Sequence, residues 1–114
     1  VREAAAPTNA YVVPSFDDPK IMAGQGTAAL ELMRETPDLD LVVTPLGGGG
    51  LLSGTVTAVK AISPATRVMG VEPEGADDWV RSLAAGERVL LDPPTPIADG
   101  GRARQPGALP WCCG

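Results

Sequence analysis

Residues 41–62 read LVVTPLGGGGLLSGTVTAVKAI, and this stretch decides the fold. Leu41-Val42-Val43 is a continuous apolar run, the pattern of a strand buried on both faces of a parallel sheet. Four glycines follow, Gly47 to Gly50. Leu52, Val56, Val59 and Ile62 then recur at spacings of 4, 3 and 3, which puts them on one face of a helix, and Ser63-Pro64 closes it.

The same alternation extends in both directions. Arg67 to Val71 reads as the next strand and ends at Glu72-Pro73. Asp77 or Asp78 starts a third helix, where the helix dipole favours a carboxylate, with Leu83 on its buried side and Gly86 at its C-terminal end. Upstream, residues 1–10 are Ala-rich and fit the tail of a helix; Tyr11-Val12-Val13 reads as a strand that stops at Pro14, and Ser15 to Pro19 as a turn. From about Ala23 to Glu35 the period is helical, with Ala29, Leu30 and Met33 on one face and Glu31, Arg34 and Glu35 opposite, until Pro37 stops it. After Val89-Leu90-Leu91 the chain is loop through Asp92-Pro93-Pro94-Thr95-Pro96.

Strand and helix alternate, which predicts right-handed crossovers and an α/β fold: a partial parallel sheet with flanking helices. No repeat or linker divides residues 1–114, so they are expected to form a single unit. A partial parallel sheet leaves an apolar face and edges uncovered.

Composition narrows the chemistry. The chain has no histidine, which removes Ser-His-Asp and Cys-His catalysis and any imidazole base. A net charge of −5 argues against nucleic acid as partner. No apolar run approaches the ~20 residues that span a bilayer, so no membrane partner is expected. Cys112 and Cys113 are adjacent, too close together to staple distant segments, which is the usage of a reducing, cytoplasmic compartment.

Two stretches carry chemistry. Consecutive glycines can turn their N–H groups inward without Cβ clashes, and the helix that follows adds partial positive charge, so Gly47–Gly50 suits a phosphate. A tight turn that merely packs strand against helix would use the same residues. The dinucleotide pattern GxGxxG nearly fits at Gly48, Gly50 and Ser53, and Glu72 lies 22 residues after Gly50, where an acid would meet a ribose. A non-catalytic Rossmann-like nucleotide- or phosphate-binding module is therefore the alternative reading. Glu72, Glu74, Asp77 and Asp78 put four carboxylates within seven residues at the carboxyl end of a strand. Such oxygens suit a hard cation, Mg²⁺ or Ca²⁺; helix capping plus solvated acids would also account for them.

Phe16-Asp-Asp-Pro19, Ala23-Gly-Gln-Gly-Thr27, Gly47-Gly-Gly-Gly-Leu-Leu-Ser-Gly54, Gly70-Val-Glu-Pro-Glu-Gly-Ala-Asp-Asp78, Ser82-Leu-Ala-Ala-Gly86 and Ile97-Ala-Asp-Gly100 occur in this order. Together they resemble the threonine dehydratase and serine racemase family, the fold-type II pyridoxal-phosphate (PLP) enzymes. The resemblance covers about residues 10–100, leaving 101–114 as a divergent tail, and implies part of the large PLP-binding domain. It implies that Gly47, Gly48, Gly49, Gly50 and the Leu51 amide hold the PLP phosphate. It likewise implies a divalent-cation site at Glu72, the Ala76 carbonyl and Asp78, for Mg²⁺ or else Ca²⁺ or Mn²⁺. Asp99-Gly100 resembles a stretch near the active-site cleft. The implied activity is dehydration and deamination of threonine or serine to a 2-keto acid and ammonia, or racemisation of serine, in a homo-oligomeric enzyme.

The departures bear on activity. The family's Schiff-base lysine sits in a Ser-x-Lys-x-Arg-Gly-Ala segment, and its substrate carboxylate in a Ser-Ser-Gly-Asn-His loop; neither occurs in these 114 residues. The lysines are Lys20 and Lys60, and Gly101-Arg102-Ala103 stands where Leu-Arg-Thr usually follows Ala-Asp-Gly. No catalytic residue is therefore assigned, and the 114 residues alone are expected to be inactive.

Overall fold

The structure is a computed structural model that describes residues 2–93 and 96–113. Of the loop expected after Leu91, Pro94 and Thr95 lie outside the described residues, as do Val1 and Gly114. A short helical turn, α1 (Arg2–Ala5), runs into a 3₁₀ turn at Ala6–Thr8. Helix α2 spans Pro19–Glu35 and so begins before the apolar period does. Its start is set by Asp18-Pro19: the Asp18 carboxylate accepts the N–H groups of Lys20 at 2.8 Å and Ile21 at 3.4 Å, and proline fits the first helical position. Thr36 ends it, just before Pro37.

Strands β1 (Leu41–Pro45) and β2 (Arg67–Val71) pair in parallel, from Leu41 opposite Arg67 to Pro45 opposite Val71, and helix α3 (Gly50–Ile62) is the crossover between them. Helices α2 and α3 cover one face of this sheet. The core lies between the layers: Ala29 and Met33 of α2, Ala58 and Val59 of α3, and Val42 of β1, with Leu30, Leu39 and Val68 around them. The helices meet at Gly26 and Gly54, where a Cβ on Gly54 would stand 2.3 Å from the Met22 carbonyl oxygen. That close approach changes the buried face of α3. Gly54, Thr55, Ala58 and Val59 are buried, Leu52 and Val56 half-buried, and Ile62 exposed, because small residues let the backbones touch.

Three further sequence expectations are corrected. Strand β1 is not covered on both sides: Val43, Met69 and Val71 are 52%, 50% and 49% exposed on the face away from the helices. Tyr11-Val12-Val13 is not a strand, since among the described residues the sheet has β1 and β2 alone and the run finds no ladder partner. Helix α4 (Asp78–Ala85) buries Asp78, Trp79 and Ser82, while Leu83 is 66% exposed. The helix is turned so that Ser82 faces inward, where its Oγ accepts the Val89 N–H at 2.9 Å. Gly86 ends α4 as expected, with φ 73° in the left-handed region.

The segment read as a divergent tail is laced to the body. The Leu91 N–H donates to the Arg104 carbonyl at 2.8 Å, Arg104 Nε donates back to Leu91 O at 3.0 Å, and Arg88 Nη1 donates to Pro106 O at 3.1 Å. Helix α5 (Ala108–Cys113) is capped by a side chain from the other end of the chain: the Asp17 carboxylate accepts the N–H groups of Ala108 at 3.0 Å and Leu109 at 2.8 Å. The radius of gyration is 15.3 Å, above the about 13 Å typical of a compact domain of this length.

Candidate functional site

Because Pro45 pairs with Val71, both strands end at the same level and their following loops share one edge of the sheet. That edge, beyond the carboxyl ends of parallel strands, is where open α/β sheets bind ligands. The glycine loop and the acidic cluster are therefore neighbours, as the sequence order predicts.

The loop is held by its carbonyls. Gly47 O accepts the Trp79 indole N–H at 2.7 Å, and Gly48 O accepts the Gly107 N–H at 2.9 Å. Gly49 precedes α3 with φ 98°, a left-handed conformation that favours glycine. The first intrahelical bond is Ser53 N–H to Gly49 O, so the N–H groups of Gly49 to Leu52 have no partner within the helix. A pocket of about 260 Å³ opens on these groups, lined by Gly47–Gly50 and Leu51 together with Ser15, Phe16 and Gln25. Close packing also requires the glycines: a Cβ on Gly48 would fall 2.2 Å from the Phe16 ring, and one on Gly49 2.5 Å from Trp79. The tight-turn and anion-cradle readings are thus compatible, since the packing seats the turn whose N–H groups line the pocket.

The acidic cluster divides into different jobs. Glu72 caps α4, its carboxylate accepting the N–H groups of Trp79 at 3.1 Å and Val80 at 2.8 Å. It thereby serves as the helix cap that the local sequence would have assigned to Asp77 or Asp78. Asp77 occupies the N-cap position, yet makes no cap bond; it pairs with Arg81 at 2.8 Å, and that hydrogen bond lowers its pKa. Asp78 is fully buried, and neither of its carboxylate oxygens has a hydrogen-bond partner among the described residues. Burial, then the nearby Glu72 charge, pushes its pKa up to about 6. Ala76 is buried beside it, in a 3₁₀ turn at Glu74–Ala76. Among the described residues no three His, Cys, Asp or Glu side chains converge as a metal cluster.

A second pocket of about 440 Å³ adjoins the first, lined by Leu46, Gly47, Glu72, Pro73, Ala98 and Gly101 among others. The 3₁₀ turn Asp99–Gly101 thus stands beside this edge of the sheet, in line with its resemblance to a cleft segment. Sequence reasoning missed Phe16, Trp79, Asp17 and Gly107 as parts of the site. Phe16 and Asp17 stand in the quoted Phe16-Asp-Asp-Pro19 stretch, but no periodicity or spacing ties them to a loop 30 residues away. Lys60, which lines neither pocket, donates to Pro64 O at 2.9 Å and Thr66 O at 2.7 Å, bracing the turn from α3 to β2.

Comparison with known proteins adds the following. The family model described as pyridoxal-phosphate dependent enzyme matches residues 1–113. The chain is 45% identical over 104 residues to a serine racemase of Oryza sativa subsp. indica, which covers 91% of this chain and 30% of that protein. It is 42% identical over 106 residues to an L-threo-3-hydroxyaspartate ammonia-lyase of Saccharomyces cerevisiae, covering 93% and 32%. Maize serine racemase superposes with a TM-score of 0.89 at 40% identity, over 97% of this chain and 35% of that one. A threonine deaminase of Solanum lycopersicum superposes with a TM-score of 0.90 at 37% identity, over 99% and 33%. The chain therefore spans about a third of the length of the relatives it matches.

Proposed function

The chain belongs to the pyridoxal-phosphate dependent enzyme family, and from that premise we propose that it is the phosphate-holding part of an ammonia-lyase or racemase acting on a β-hydroxy amino acid. Serine, threonine and 3-hydroxyaspartate, named in its relatives, share that hydroxyl. Pyridoxal phosphate, when bound, withdraws electrons from the amino-acid Cα. In this reading Gly47, Gly48, Gly49, Gly50 and the Leu51 amide hold its phosphate, and the α3 N-terminus supplies partial positive charge. The observation that carries it is the loop itself: two carbonyls fixed behind, and N–H groups without a partner among the described residues, on a pocket at the carboxyl edge of the sheet.

We also propose a divalent cation, Mg²⁺ or alternatively Ca²⁺ or Mn²⁺, held by Glu72, the Ala76 carbonyl and Asp78. What supports it is the chemistry of the donors: a buried carboxylate with two unpartnered oxygens, next to a second carboxylate, suits a hard cation. The cation would neutralise Asp78 and hold the first turn of α4 in place. The catalytic lysine is not among the assignments, since Lys20 and Lys60 line neither pocket. Assembly as a homo-oligomer and a cytoplasmic compartment belong to the same proposal; free, exposed Cys112 and Cys113 suit the latter.

Titration of the ¹⁵N-labelled chain with inorganic phosphate tests the phosphate site. The amides of Gly47 to Leu51 shift as phosphate is added. Amides that stay silent up to millimolar phosphate would sink the proposal. A parallel Mg²⁺ titration, read at Ala76 to Trp79, tests the cation site separately.

A further inference from the structure

We infer that Trp79 is a positioning residue for the phosphate loop: its indole N–H, donated to Gly47 O at 2.7 Å, turns the Gly48 N–H into the anion pocket. This deepens the phosphate reading and rests on it. The C=O of one residue and the N–H of the next lie antiparallel across a planar peptide. Drawing Gly47 O toward Trp79 therefore directs the Gly48 N–H the opposite way. The Gly107 N–H does the same for the next peptide by holding Gly48 O at 2.9 Å.

The pocket makes this alignment decisive. Among its described lining residues there is no lysine or arginine, and the side-chain donors are the neutral Ser15 and Gln25, so an anion there leans on backbone N–H groups that point at it. Four glycines in a row have the widest backbone freedom of any tetrapeptide, and an unheld loop spreads those N–H groups over many directions. Trp79 removes that freedom at two points. Its N–H fixes the first peptide, and its ring fills the space a Cβ on Gly49 would need, 2.5 Å away. Trp79 is itself held firmly: it is 6% exposed, its backbone N–H is bound by Glu72 at 3.1 Å, and Trp111 packs on it with ring centroids 5.9 Å apart. A buried indole N–H needs an acceptor, and here that acceptor is the first carbonyl of the glycine loop.

The test is Trp79→Phe, which keeps a ring against Gly49 and deletes the donor. Two probes are used: inorganic phosphate, and 4-deoxypyridoxine 5′-phosphate, which has no aldehyde to react with lysine. The expected result is about tenfold weaker binding of both, the upper end of one lost hydrogen bond. The Gly47 carbonyl ¹³C resonance should shift in the same variant while the amides of Leu41–Thr44 stay in place, a signature that loss of packing alone would not give. Unchanged affinity, or weaker binding with an unmoved Gly47 carbonyl, overturns the inference. Should the variant not fold, the wild-type chain decides: a scalar coupling across the bond between Trp79 Nε1 and the Gly47 carbonyl carbon supports it, and a Trp79 indole N–H that lacks the coupling refutes it. Absence of phosphate binding by the wild-type chain would instead bring down the phosphate site itself, a distinguishable failure.

Discussion

Gly54→Ala tests the packing on which the site stands. A methyl at Gly54 would lie 2.3 Å from Met22 O, 2.6 Å from Gly26 N and 3.1 Å from Gly26 Cα, all of them backbone atoms that no rotamer change can clear. Helices α2 and α3 must therefore separate by about 1 Å, a gap that forfeits a quarter to a half of the dispersion attraction across it. Overpacking of this kind costs about 1–3 kcal/mol, with the rigid backbone contact pointing to the upper end. Against this stands a helix-propensity gain of about 1 kcal/mol for replacing glycine by alanine. The net is a loss of about 2 kcal/mol, or a melting temperature lower by roughly 8 °C for a chain of this size. Gly24→Ala is the matched control, because it lies in α2 with nothing within 4 Å of its Cβ position. It gains the propensity without the clash, and its melting temperature rises by roughly 4 °C. Thermal melts followed by circular dichroism compare the two. A Gly54→Ala chain that melts at or above wild type, in step with Gly24→Ala, would refute the close crossing.

Three further outcomes are expected. Asp78, with a pKa raised from 3.8 to about 6, keeps its proton longer in the folded chain than in the unfolded one. The metal-free chain therefore loses stability as pH rises through that interval, whereas Asp78→Asn lacks this component of the slope; denaturant melts across pH, differenced between the two chains, measure it. Gly49→Ala places a side chain at φ 98° and 2.6 Å from Pro110 Cβ, so it costs at least the about 1–2 kcal/mol of a left-handed alanine and abolishes the phosphate-dependent amide shifts in NMR. Asp17→Ala removes both acceptors from the start of α5 and costs about 1 kcal/mol, seen as faster hydrogen exchange at Trp111 and Cys112 in native-state measurements.

Much of the fold could be read from the sequence where local rules suffice. Arg67 to Val71 and the start of β1 were legible as apolar runs, Gly86 as a helix end, and Pro37 as a stop. Tyr11–Val13 misled because a strand needs a neighbour, and an apolar triplet cannot announce whether it has one. Leu83 misled for a related reason: on a short helix the buried arc is set by one anchor, here Trp79 reaching Gly47, and hydropathy ranks leucine above serine without regard to Ser82's partner at Val89. The loop and the acidic cluster both stood out in the sequence as candidate sites because their chemistry is written in consecutive residues. The division of labour between Glu72 as cap and Asp78 as orphan was not, since it depends on how α4 is rotated. The parts that seat the loop, Phe16 and Gly107, come from distant segments and left no local trace.

The Asp17 bridge to Ala108 and Leu109 joins groups 91 and 92 residues apart. Contacts of such long range carry a larger loop-closure cost than those within the helices and the β1–α3–β2 unit. The glycine loop sits inside that closure: Phe16 presses on it from one flank, and Gly107 ties it from the other. A nascent chain halted before residue 107 holds every glycine of the loop but lacks the second tether. An anion that selects the closed loop would therefore lend its own binding energy to that closure.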